Sequence, residues 1–355
     1  MNPMHIGILT GGGDCPGLNA VIRAVTLALI HDTGARVTGI ERGFQGLLTR
    51  SARPLAAADV QGILAEGGTI LGTHNRADPF HYFGADGADV SGHAMAYVRE
   101  LGLNALVAIG GDGTMGIAHR FEPLGLPVVG VPKTIDNDLF HNDRSFGFDS
   151  AVAVVAEALD RLHTTARSHG RVMIAETMGR HAGWIALEGG MAGGADIILL
   201  PELPFELDAV VRHCREREQR GLHTLICIAE GAHARGEATT VQAASGGATR
   251  LGGVGPWLQS QLQPRLESEV RATLLGHVQR GGTPTAFDRV LATRFGFHAA
   301  QLVGAGRFGR MVTLQGSDCT SVPIADVAGR NRLVPPDHPL LAAARALGVG
   351  LGQTP

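Results

Sequence analysis

The stretch LPVVGVPKTIDND at 126–138 places two acids directly behind an apolar run. The run from Leu126 to Val131 has the composition of a buried strand, so Asp136 and Asp138 follow the point where that strand ends. In an open α/β sheet, ligands bind at the carboxyl ends of the parallel strands. Carboxylates at such an edge repel anionic substrates. Their presence there therefore indicates that they bind a metal ion or transfer a proton. Together with IGGDGT at 109–114, a second strand end with its own acid, the stretch predicts an α/β fold with a phosphoryl-transfer site.

Two glycine-rich segments repeat this arrangement behind other apolar runs. TGGGDCPGLN occupies 10–19 and GGDGT occupies 110–114. Consecutive glycines let backbone N–H groups approach a polyphosphate, and a following helix adds its positive end. Asp112 is a candidate Mg²⁺ ligand through water, because this cation prefers carboxylate and phosphate oxygens. Gly113 leaves room for the α-phosphate of a nucleotide. The first segment taken alone is equally explained as a tight structural turn. GGDGT resembles a common Asp-Gly turn, but the presence of the other two segments favours a functional role for it.

Asp136 is the candidate general base. It would take the proton from the attacking hydroxyl group while Mg²⁺ and positively charged side chains neutralise the charge that spreads over the phosphoryl group. Asp138 is expected to orient Asp136 or to bind metal through water. Two acids on a loop are often only solvated, but these stand beside Thr134 and behind a buried-looking strand.

A few arginines occur at turns and strand ends rather than on helix faces, where their forked donors suit a phosphate dianion. They are Arg171, Arg180, Arg271 and Arg280, with His277 close to the last of them. Each arginine alone is better explained by a surface ion pair than by a functional role, and a lone histidine by a hydrogen-bonded core position. Their convergence in one site is what the functional interpretation requires.

The bulk properties narrow the class of protein. At 355 residues the chain exceeds one ordinary core, which predicts two lobes. A net charge of -3 gives no basic surplus for nucleic acid. The four cysteines are scattered without metal-type spacing, and neither a signal peptide nor a membrane-length apolar run is present. We expect a reduced cytoplasmic enzyme that binds neither nucleic acid nor membrane.

Short apolar runs alternate with helical patterns, which predicts two similar lobes, each a mostly parallel sheet sandwiched by helices. The predicted strands are Ile6–Thr10, Ala105–Ile109, Pro127–Val131, Val172–Glu176, Ile197–Pro201, Thr224–Glu230 and Met311–Gln315. The predicted helices are Asn19–His31, Ala94–Leu101, Ser150–His169, Asp208–Arg220, Trp257–Leu266 and Arg289–Val303. The segment 234–253, rich in small residues, predicts an exposed excursion. GAGRFG at 304–309 fits a dinucleotide-binding pattern but follows a helix, so we interpret it as a helix stop and turn.

Together these motifs resemble the bacterial-type 6-phosphofructokinases, from about residue 6 to about residue 315. The resemblance is carried by TGGGDCPGLNAVIR at 10–23, GGDGT at 110–114, PKTIDND at 132–138, MGRHAGW at 178–184 and RATLLGHVQRGG at 271–282. It implies transfer of a phosphoryl group from ATP to fructose 6-phosphate with Mg²⁺. It also implies a nucleotide-binding lobe at 1–146 plus about 279–330, a fructose 6-phosphate-binding lobe at 147–278 plus about 331–355, and an active site in the cleft between them.

The resemblance assigns roles residue by residue. The catalytic residues would be Asp136, Thr134 and Arg180, and the nucleotide and its metal would contact Gly12, Gly13, Arg76, Asp112, Gly113 and Thr114. The sugar phosphate would contact Thr134, Ile135, Asp136, Arg171, Met178, Gly179, Arg180, Glu230, Arg271, His277, Val278, Gln279 and Arg280. Arg171 and Arg271 match arginines that the family supplies from a neighbouring subunit, which implies a homodimer or homotetramer with shared active sites. The match of Arg76 is the weakest, because 72–80 does not align cleanly.

Two positions, at which ATP-dependent and pyrophosphate-dependent members of the family differ, bear on the identity of the phosphoryl donor. Lys133 is similar to pyrophosphate-using and mixed-group relatives, whereas strictly ATP-dependent bacterial members carry glycine there. Gly113 resembles the ATP users, because pyrophosphate users carry GGDD and their extra carboxylate fills and repels the α-phosphate position. Position 113 decides by steric and charge exclusion, because an aspartate there would keep out the α-phosphate of ATP and glycine does not. Lys133 is compatible with either donor. We therefore expect ATP, with a pyrophosphate-dependent enzyme as the alternative.

The allosteric nucleotide site of the family is matched only in part. Arg23 corresponds to one of its arginines, but Leu27 and His163 replace others, and 221–223 lacks the expected lysines. We expect regulation by ADP or phosphoenolpyruvate to be weak or absent. More distant alternatives are an NAD or lipid kinase, which leaves PKTIDND, MGR and GHVQRGG unexplained, and a catalytically silent phosphate-sensing protein.

Overall fold

The computed structural model describes residues 3–237, 241–243 and 249–354, with backbone alone at 241–243 and 249–251. The chain forms two compact units. The first unit comprises Met1–Ile135, Leu139–Ser150 and Arg280–Asn331. The second unit comprises Asp136–Asp138, Ala151–Gln279 and Arg332–Pro355. Most of the predicted excursion at 234–253 lies outside the fully described residues, so that prediction stays untested.

The elements follow the predicted alternation of strands and helices. The strands are β1 (His5–Thr10), β2 (Arg36–Ile40), β3 (Ala52–Pro54), β4 (Ala105–Gly110), β5 (Val128–Pro132), β6 (Val172–Thr177), β7 (Ile197–Leu199), β8 (Thr224–Ala229), β9 (Val241–Ala243), β10 (Thr249–Leu251), β11 (Val270–Leu274), β12 (Arg310–Gln315) and β13 (Asp318–Pro323). The helices are α1 (Leu18–Thr33), α2 (Phe44–Thr49), α3 (Ser91–Leu101), α4 (Asp112–Phe121), α5 (Phe148–His169), α6 (Trp184–Ala192), α7 (Leu207–Gln219), α8 (Val254–Leu262), α9 (Ala286–Gly304) and α10 (Pro339–Ala346).

The sheet of the first unit has the strand order β13-β12-β5-β4-β1-β2-β3. Its central strands are parallel, and only the edge pairs β2–β3 and β12–β13 are antiparallel. The register pairs Thr10 with Ile109 and Gly110 with Pro132. Strands β1, β4 and β5 therefore end at the same edge, and the segments at 10–19, 110–114 and 132–138 begin side by side there.

Strand β4 is buried along its whole length, as its continuous apolar sequence predicts. Leu106 and Ala108 belong to a core that also contains side chains of α2, α3 and α4. The alternate residues of the strand point to the opposite face of the sheet. Helices α1 and α9 pack closely together, and a Cβ at Gly296 would lie 2.7 Å from the Cβ of Ala24.

The second unit has a parallel sheet with the order β11-β6-β8-β7. Its core joins strand residues such as Ile174 and Ile226 to side chains of α7 and α8. The predicted α/β class with mostly parallel sheets flanked by helices is therefore confirmed. Across the residues that the structure describes, none of the helices combines the length and the apolar character needed to span a bilayer.

The elements that the sequence missed have identifiable causes. GGDGT was predicted as a glycine loop, but α4 begins at Asp112, because the glycines conceal a helix start. Helix α6 is buried on nearly all sides and so has no amphipathic period. Helix α8 ends at Leu262 rather than 266, because Pro264 lies in a following 3₁₀ turn. The segment 304–309 is a helix end and turn, as predicted, with Gly306 and Gly309 at positive φ.

Candidate active site

Three segments meet at the carboxyl edge of the first unit's sheet. Gly11 N donates to Ile109 O (2.8 Å), and Lys133 N donates to Gly110 O (3.0 Å). These bonds continue the β1–β4–β5 ladder beyond the strands. The two glycine segments and the beginning of PKTIDND are thereby held at fixed separations, as the sequence predicted for their strand ends.

The carbonyl groups of the first glycine segment are fixed by side chains. Thr73 Oγ1 donates to Gly12 O (2.5 Å), Lys133 Nζ donates to Gly13 O, and Arg280 Nη1 donates to Asp14 O (3.2 Å). A Cβ at Gly13 would lie 2.7 Å from Arg280 Nη1. A side chain at position 13 would therefore push the Arg280 guanidinium group away from its present position. Lys133 is almost fully buried, and its hydrogen bond to Gly13 O holds its amino group beside this segment.

The second glycine segment is built around Thr114, whose side chain is buried. A Cβ at Gly11 or Gly110 would lie 2.5 Å or 2.2 Å from Thr114 Oγ1. Thr114 thus packs into the space that both glycines leave, and this packing brings the two segments together. The predicted contact of Thr114 with a nucleotide stays a prediction.

Asp112 and Gly113 form the first turn of α4. The Oδ1 atom of Asp112 accepts a hydrogen bond from Gly329 N (2.7 Å), while a Cβ at Gly113 would meet no atom within 4 Å. Within the described parts of the chain, no group of three His, Cys, Asp or Glu residues could hold a metal ion. A lone carboxylate fits a Mg²⁺ ion that arrives with substrate phosphates and keeps several waters.

The turn Asp136–Asp138 is held by a residue that the sequence did not reveal. Arg332 N donates to Asp138 O (2.7 Å), and Arg332 Nη1 donates to Asn137 O (3.0 Å). Trp184 supports Arg332 in turn, because its ring lies 4.1 Å from the guanidinium carbon and its Nε1 donates to Arg332 O (3.0 Å). Arg332 carries no local motif, so this contact between distant segments was beyond sequence reasoning.

The remaining members of PKTIDND are enclosed. Ile135 is fully buried and Thr134 is 9 % exposed, so the backbone leading to Asp136 is fixed by packing. Asn137 has a positive φ of 52°, a conformation that asparagine tolerates better than most residues. The carboxylate of Asp136 is thus delivered by a tight turn rather than by a loose loop.

In the second unit, the ladder of β6, β8 and β11 also continues past the strand ends. Glu230 N donates to Thr177 O (2.9 Å), Gly231 N to Gly179 O (3.2 Å) and Leu275 N to Glu176 O (3.0 Å). This brings together the expected sugar-phosphate residues Met178, Gly179, Arg180, Glu230 and His277. Gly179 has φ 127°, and a Cβ there would lie 2.8 Å from Ala182 O, so the turn requires glycine.

Arg171 and Arg271 lie at the opposite ends of these strands. Arg171 precedes β6, and Arg271 is the second residue of β11. The six residue steps from Arg171 to Thr177 span about 20 Å at about 3.3 Å per residue. Both guanidinium groups form ion pairs with Glu269, Arg171 through Nε and Arg271 through Nη2. The structure therefore does not bring these arginines to the Met178–Arg180 turn of the same chain.

Other expected site residues are less firmly placed. Arg76 is exposed, and its guanidinium carbon lies 5.2 Å from the centre of the Phe83 ring. Val278 is 62 % exposed on the turn that carries His277. At the partly matched effector positions, His163 Nδ1 lies 3.3 Å from His223 Nε2. Burial and the neighbouring His163 lower the pKa of His223. The predicted roles of Arg76 and Val278 and the predicted weak regulation stay predictions.

A buried carboxylate near the start of α9 was also missed. Asp288 Oδ2 accepts hydrogen bonds from Ser150 N (2.8 Å) and Ser150 Oγ (2.6 Å). Thr285, the N-cap of α9, donates through Oγ1 to Asp149 Oδ2 (2.7 Å). Burial raises the pKa of Asp288 to about 6, against the opposing effect of the Ser150 hydrogen bonds. These hydrogen bonds connect the first turn of α5 to the first turn of α9, the helix that follows Arg280 in the chain.

The raised pKa of Asp288 predicts a pH dependence of stability. Folding favours the protonated form, so the folded state binds more protons than the unfolded state between about pH 4 and about pH 6, and wild-type stability falls as pH rises through this window. Relative to Asp288→Asn, wild type should lose on the order of 3 kcal/mol from pH 4 to pH 7. Urea denaturation at the two pH values measures this change. An equal stability difference between wild type and variant at both values would contradict it.

Comparison with known proteins supplies the family. The family model described as "Phosphofructokinase" matches residues 5–303. An "ATP-dependent 6-phosphofructokinase" from Chloroflexus aurantiacus is 50% identical over 98% of this chain and 98% of its own. A "Pyrophosphate--fructose 6-phosphate 1-phosphotransferase" from Amycolatopsis methanolica is 49% identical over 94% of this chain and 97% of its own.

A solved structure agrees with these sequence relatives. The crystal structure of Pichia pastoris phosphofructokinase in the T-state is 32% identical, with a TM-score of 0.80 over 91% of this chain. This chain spans 37% of that yeast chain. The structural similarity therefore covers nearly all of this chain but only part of the longer Pichia pastoris chain. The motif set, the strand-end geometry and these matches agree that the chain belongs to the phosphofructokinase family.

Proposed function

We propose that this protein transfers the γ-phosphoryl group of ATP to the O1 hydroxyl of fructose 6-phosphate, giving ADP and fructose 1,6-bisphosphate. The observation that carries the proposal is the meeting of the Gly11–Asp14, Gly110–Thr114 and Pro132–Ile135 segments at one sheet edge, with Asp136 directly after the last of them. Family membership supports the sugar phosphate as acceptor. We also propose a cytoplasmic location.

On the donor side, the protein supplies positioning and charge. Backbone N–H groups of the glycine segments and of the first turn of α4 would bind the phosphate oxygens, and the helix end would add its positive potential. Lys133 and Arg280 place positive charge beside the first segment. Asp112 would hold Mg²⁺, which neutralises phosphate charge when it is bound with the donor.

On the acceptor side, Asp136 would take the proton of the O1 hydroxyl. The O1–phosphorus bond forms as the bond from the γ-phosphorus to the bridging oxygen breaks, and ADP leaves with that oxygen. Thr134 and Arg180 would contact the transferring group. Such a base contributes about 10²–10⁴-fold to the rate. The short, fixed turn of Asp136–Asp138 suits this task, because proton transfer depends on position.

The sugar phosphate would be bound by the residues at the strand ends of the second unit. Glu230 would accept hydrogen bonds from sugar hydroxyls, with Met178 and Gly179 shaping the turn beneath the ring. His277 and Arg280 would bind the 6-phosphate. Ile135, Val278 and Gln279 belong to the segments that we expect to line this pocket.

ATP is the proposed donor because Gly113 opens onto free space in the first turn of α4. A carboxylate at that place would repel an α-phosphate, as the resemblance to the family implies. Pyrophosphate is the alternative, supported by Lys133 and by the name of the Amycolatopsis relative. Assaying fructose 6-phosphate phosphorylation with each donor separately decides between them. Activity with pyrophosphate alone would overturn the ATP assignment.

The distant position of Arg171 and Arg271 supports active sites shared between subunits. We propose a homodimer or homotetramer in which these arginines bind the 6-phosphate of a neighbour. Asp136→Asn and Arg271→Ala should each be strongly impaired alone, yet co-expression should raise the activity well above that of either variant, because a mixed oligomer contains a site with both native residues. Steady-state assays of the purified mixture measure this recovery. Absence of recovery in oligomers proven to contain both variants would contradict sharing.

A further inference from the structure

Gln279 lies inside the turn that carries the expected phosphate-binding residues, but its side chain is fully buried. Its Oε1 accepts a hydrogen bond from Met178 N (3.2 Å), and its Nε2 donates to Gly276 O (3.0 Å). Both amide atoms therefore bind backbone groups of the protein. One neutral side chain links the turn after β6 to the turn after β11.

The two linked turns are expected to contact opposite ends of the bound fructose 6-phosphate. The turn after β6 presents Met178, Gly179 and Arg180, while the turn after β11 presents His277. Leu275 N bonds to Glu176 O, but beyond this point β6 and β11 form no further ladder bond within the described chain. The Gln279 side chain replaces the missing ladder bond, and it fixes how far apart the two turns lie.

We propose that Gln279 is a positioning residue that sets the distance between the sugar-binding turn at Met178–Arg180 and the phosphate-binding turn at Gly276–Arg280. The inference rests on the proposed function, since it concerns the same acceptor. An amide suits the task because it donates and accepts at once without carrying charge. A carboxylate cannot donate to Gly276 O, and an apolar side chain leaves the N–H of Met178 and the carbonyl of Gly276 without this partner.

The first test replaces Gln279 by methionine, which keeps the length of the side chain and removes both hydrogen bonds. The KM for fructose 6-phosphate should rise about tenfold or more, because small displacements of positioning groups have large effects. The kcat should change less than about threefold, and so should the KM for the donor, because the glycine segments are untouched. An unchanged KM for fructose 6-phosphate would overturn the proposal.

The second test uses Gln279→Glu, which mimics glutamine only when it is protonated. The protonated carboxyl group can donate to Gly276 O while its other oxygen accepts from Met178 N, and burial raises the pKa of such a group. The ratio of the variant KM to the wild-type KM should therefore fall as pH is lowered from about 9 to about 6. A ratio that does not change with pH would count against the positioning role.

Asn142→Asp provides the matched control. Asn142 is also a buried amide, with Nδ2 donating to Ser145 Oγ (2.9 Å) and Oδ1 accepting from Leu314 N (2.8 Å), but it lies outside the acceptor turns. This variant should lose stability without a change in the KM for fructose 6-phosphate. An equal rise of KM in both carboxylate variants would show general destabilisation and refute the proposal.

Calorimetric binding of fructose 6-phosphate to the whole protein without donor separates this inference from the proposed function. Wild type should bind the sugar phosphate, and Gln279→Met should bind it about tenfold more weakly or worse. Binding by wild type with undiminished binding by the variant would defeat the positioning role alone. Failure of wild type to bind or phosphorylate fructose 6-phosphate would defeat the proposed function, and the inference with it.

Discussion

Replacing Asp136 by asparagine is expected to lower kcat about 10²–10⁴-fold, because the amide cannot take the proton from the attacking hydroxyl group. The KM for fructose 6-phosphate should change much less, since asparagine keeps the size and hydrogen-bonding atoms of the turn. The backbone there is held by Arg332 through Asp138 O and Asn137 O, which the substitution leaves in place. Steady-state kinetics with saturating ATP and Mg²⁺ measures the effect.

Asp143→Asn is the control for this experiment. Asp143 Oδ2 accepts a hydrogen bond from Gly316 N (2.7 Å), and the residue follows the same strand by a few more positions. The same chemical change there should leave kcat within about threefold of wild type, because no proton transfer is involved. Wild-type turnover in Asp136→Asn would sink the general-base role of this residue.

The substitution Gly113→Asp is expected to lower kcat/KM for ATP by at least about 10²-fold, because a like charge beside the α-phosphate costs several kcal/mol. The fold should tolerate the change. A Cβ at 113 meets no atom within 4 Å, and an acid in the first turn of α4 interacts favourably with the helix dipole. A loss of ATP use would therefore report on the site rather than on folding.

Gly113→Ala separates charge from volume in this prediction. Alanine adds the same Cβ without the carboxylate and should retain most ATP activity. Each variant is assayed with ATP and with pyrophosphate. Activity with pyrophosphate should fall less, because pyrophosphate lacks an α-phosphate. Unimpaired ATP use by Gly113→Asp would remove the argument for ATP as the preferred donor. Lys133 would then be the better indicator of the donor, and it is similar to the pyrophosphate-using and mixed-group relatives.

The sequence predicted those parts of the structure that depend on local composition. The apolar runs before Gly11, Gly110 and Pro132 predicted parallel strands, and their shared edge followed from the rule that such strands end together. The helix starting at Asp112 was missed because three glycines in five residues have weak helix propensity. Sequence alone could therefore place the chemistry at the correct strand ends but misread the local geometry of GGDGT.

The parts that stayed hidden are contacts between segments far apart in the chain. Arg332 bonds to the Asp136–Asp138 turn across nearly 200 residues, and Asp288 bonds to Ser150 with a separation of 138. Gln279 looked like one more member of a binding motif, whereas its side chain is internal. None of these partners has a periodicity or spacing that marks it, because only the folded chain brings them together.

The ion pairs of Glu269 with Arg171 and Arg271 are formed far along the strands from the chain's own Met178–Arg180 turn. If these guanidinium groups serve a neighbour, the fitness of one polypeptide depends on the genotype of another. In a cell that makes both a native and an Arg271-deficient copy, the damaged copy would disable the site of its native neighbour, while its own site would be completed by the neighbour's arginine.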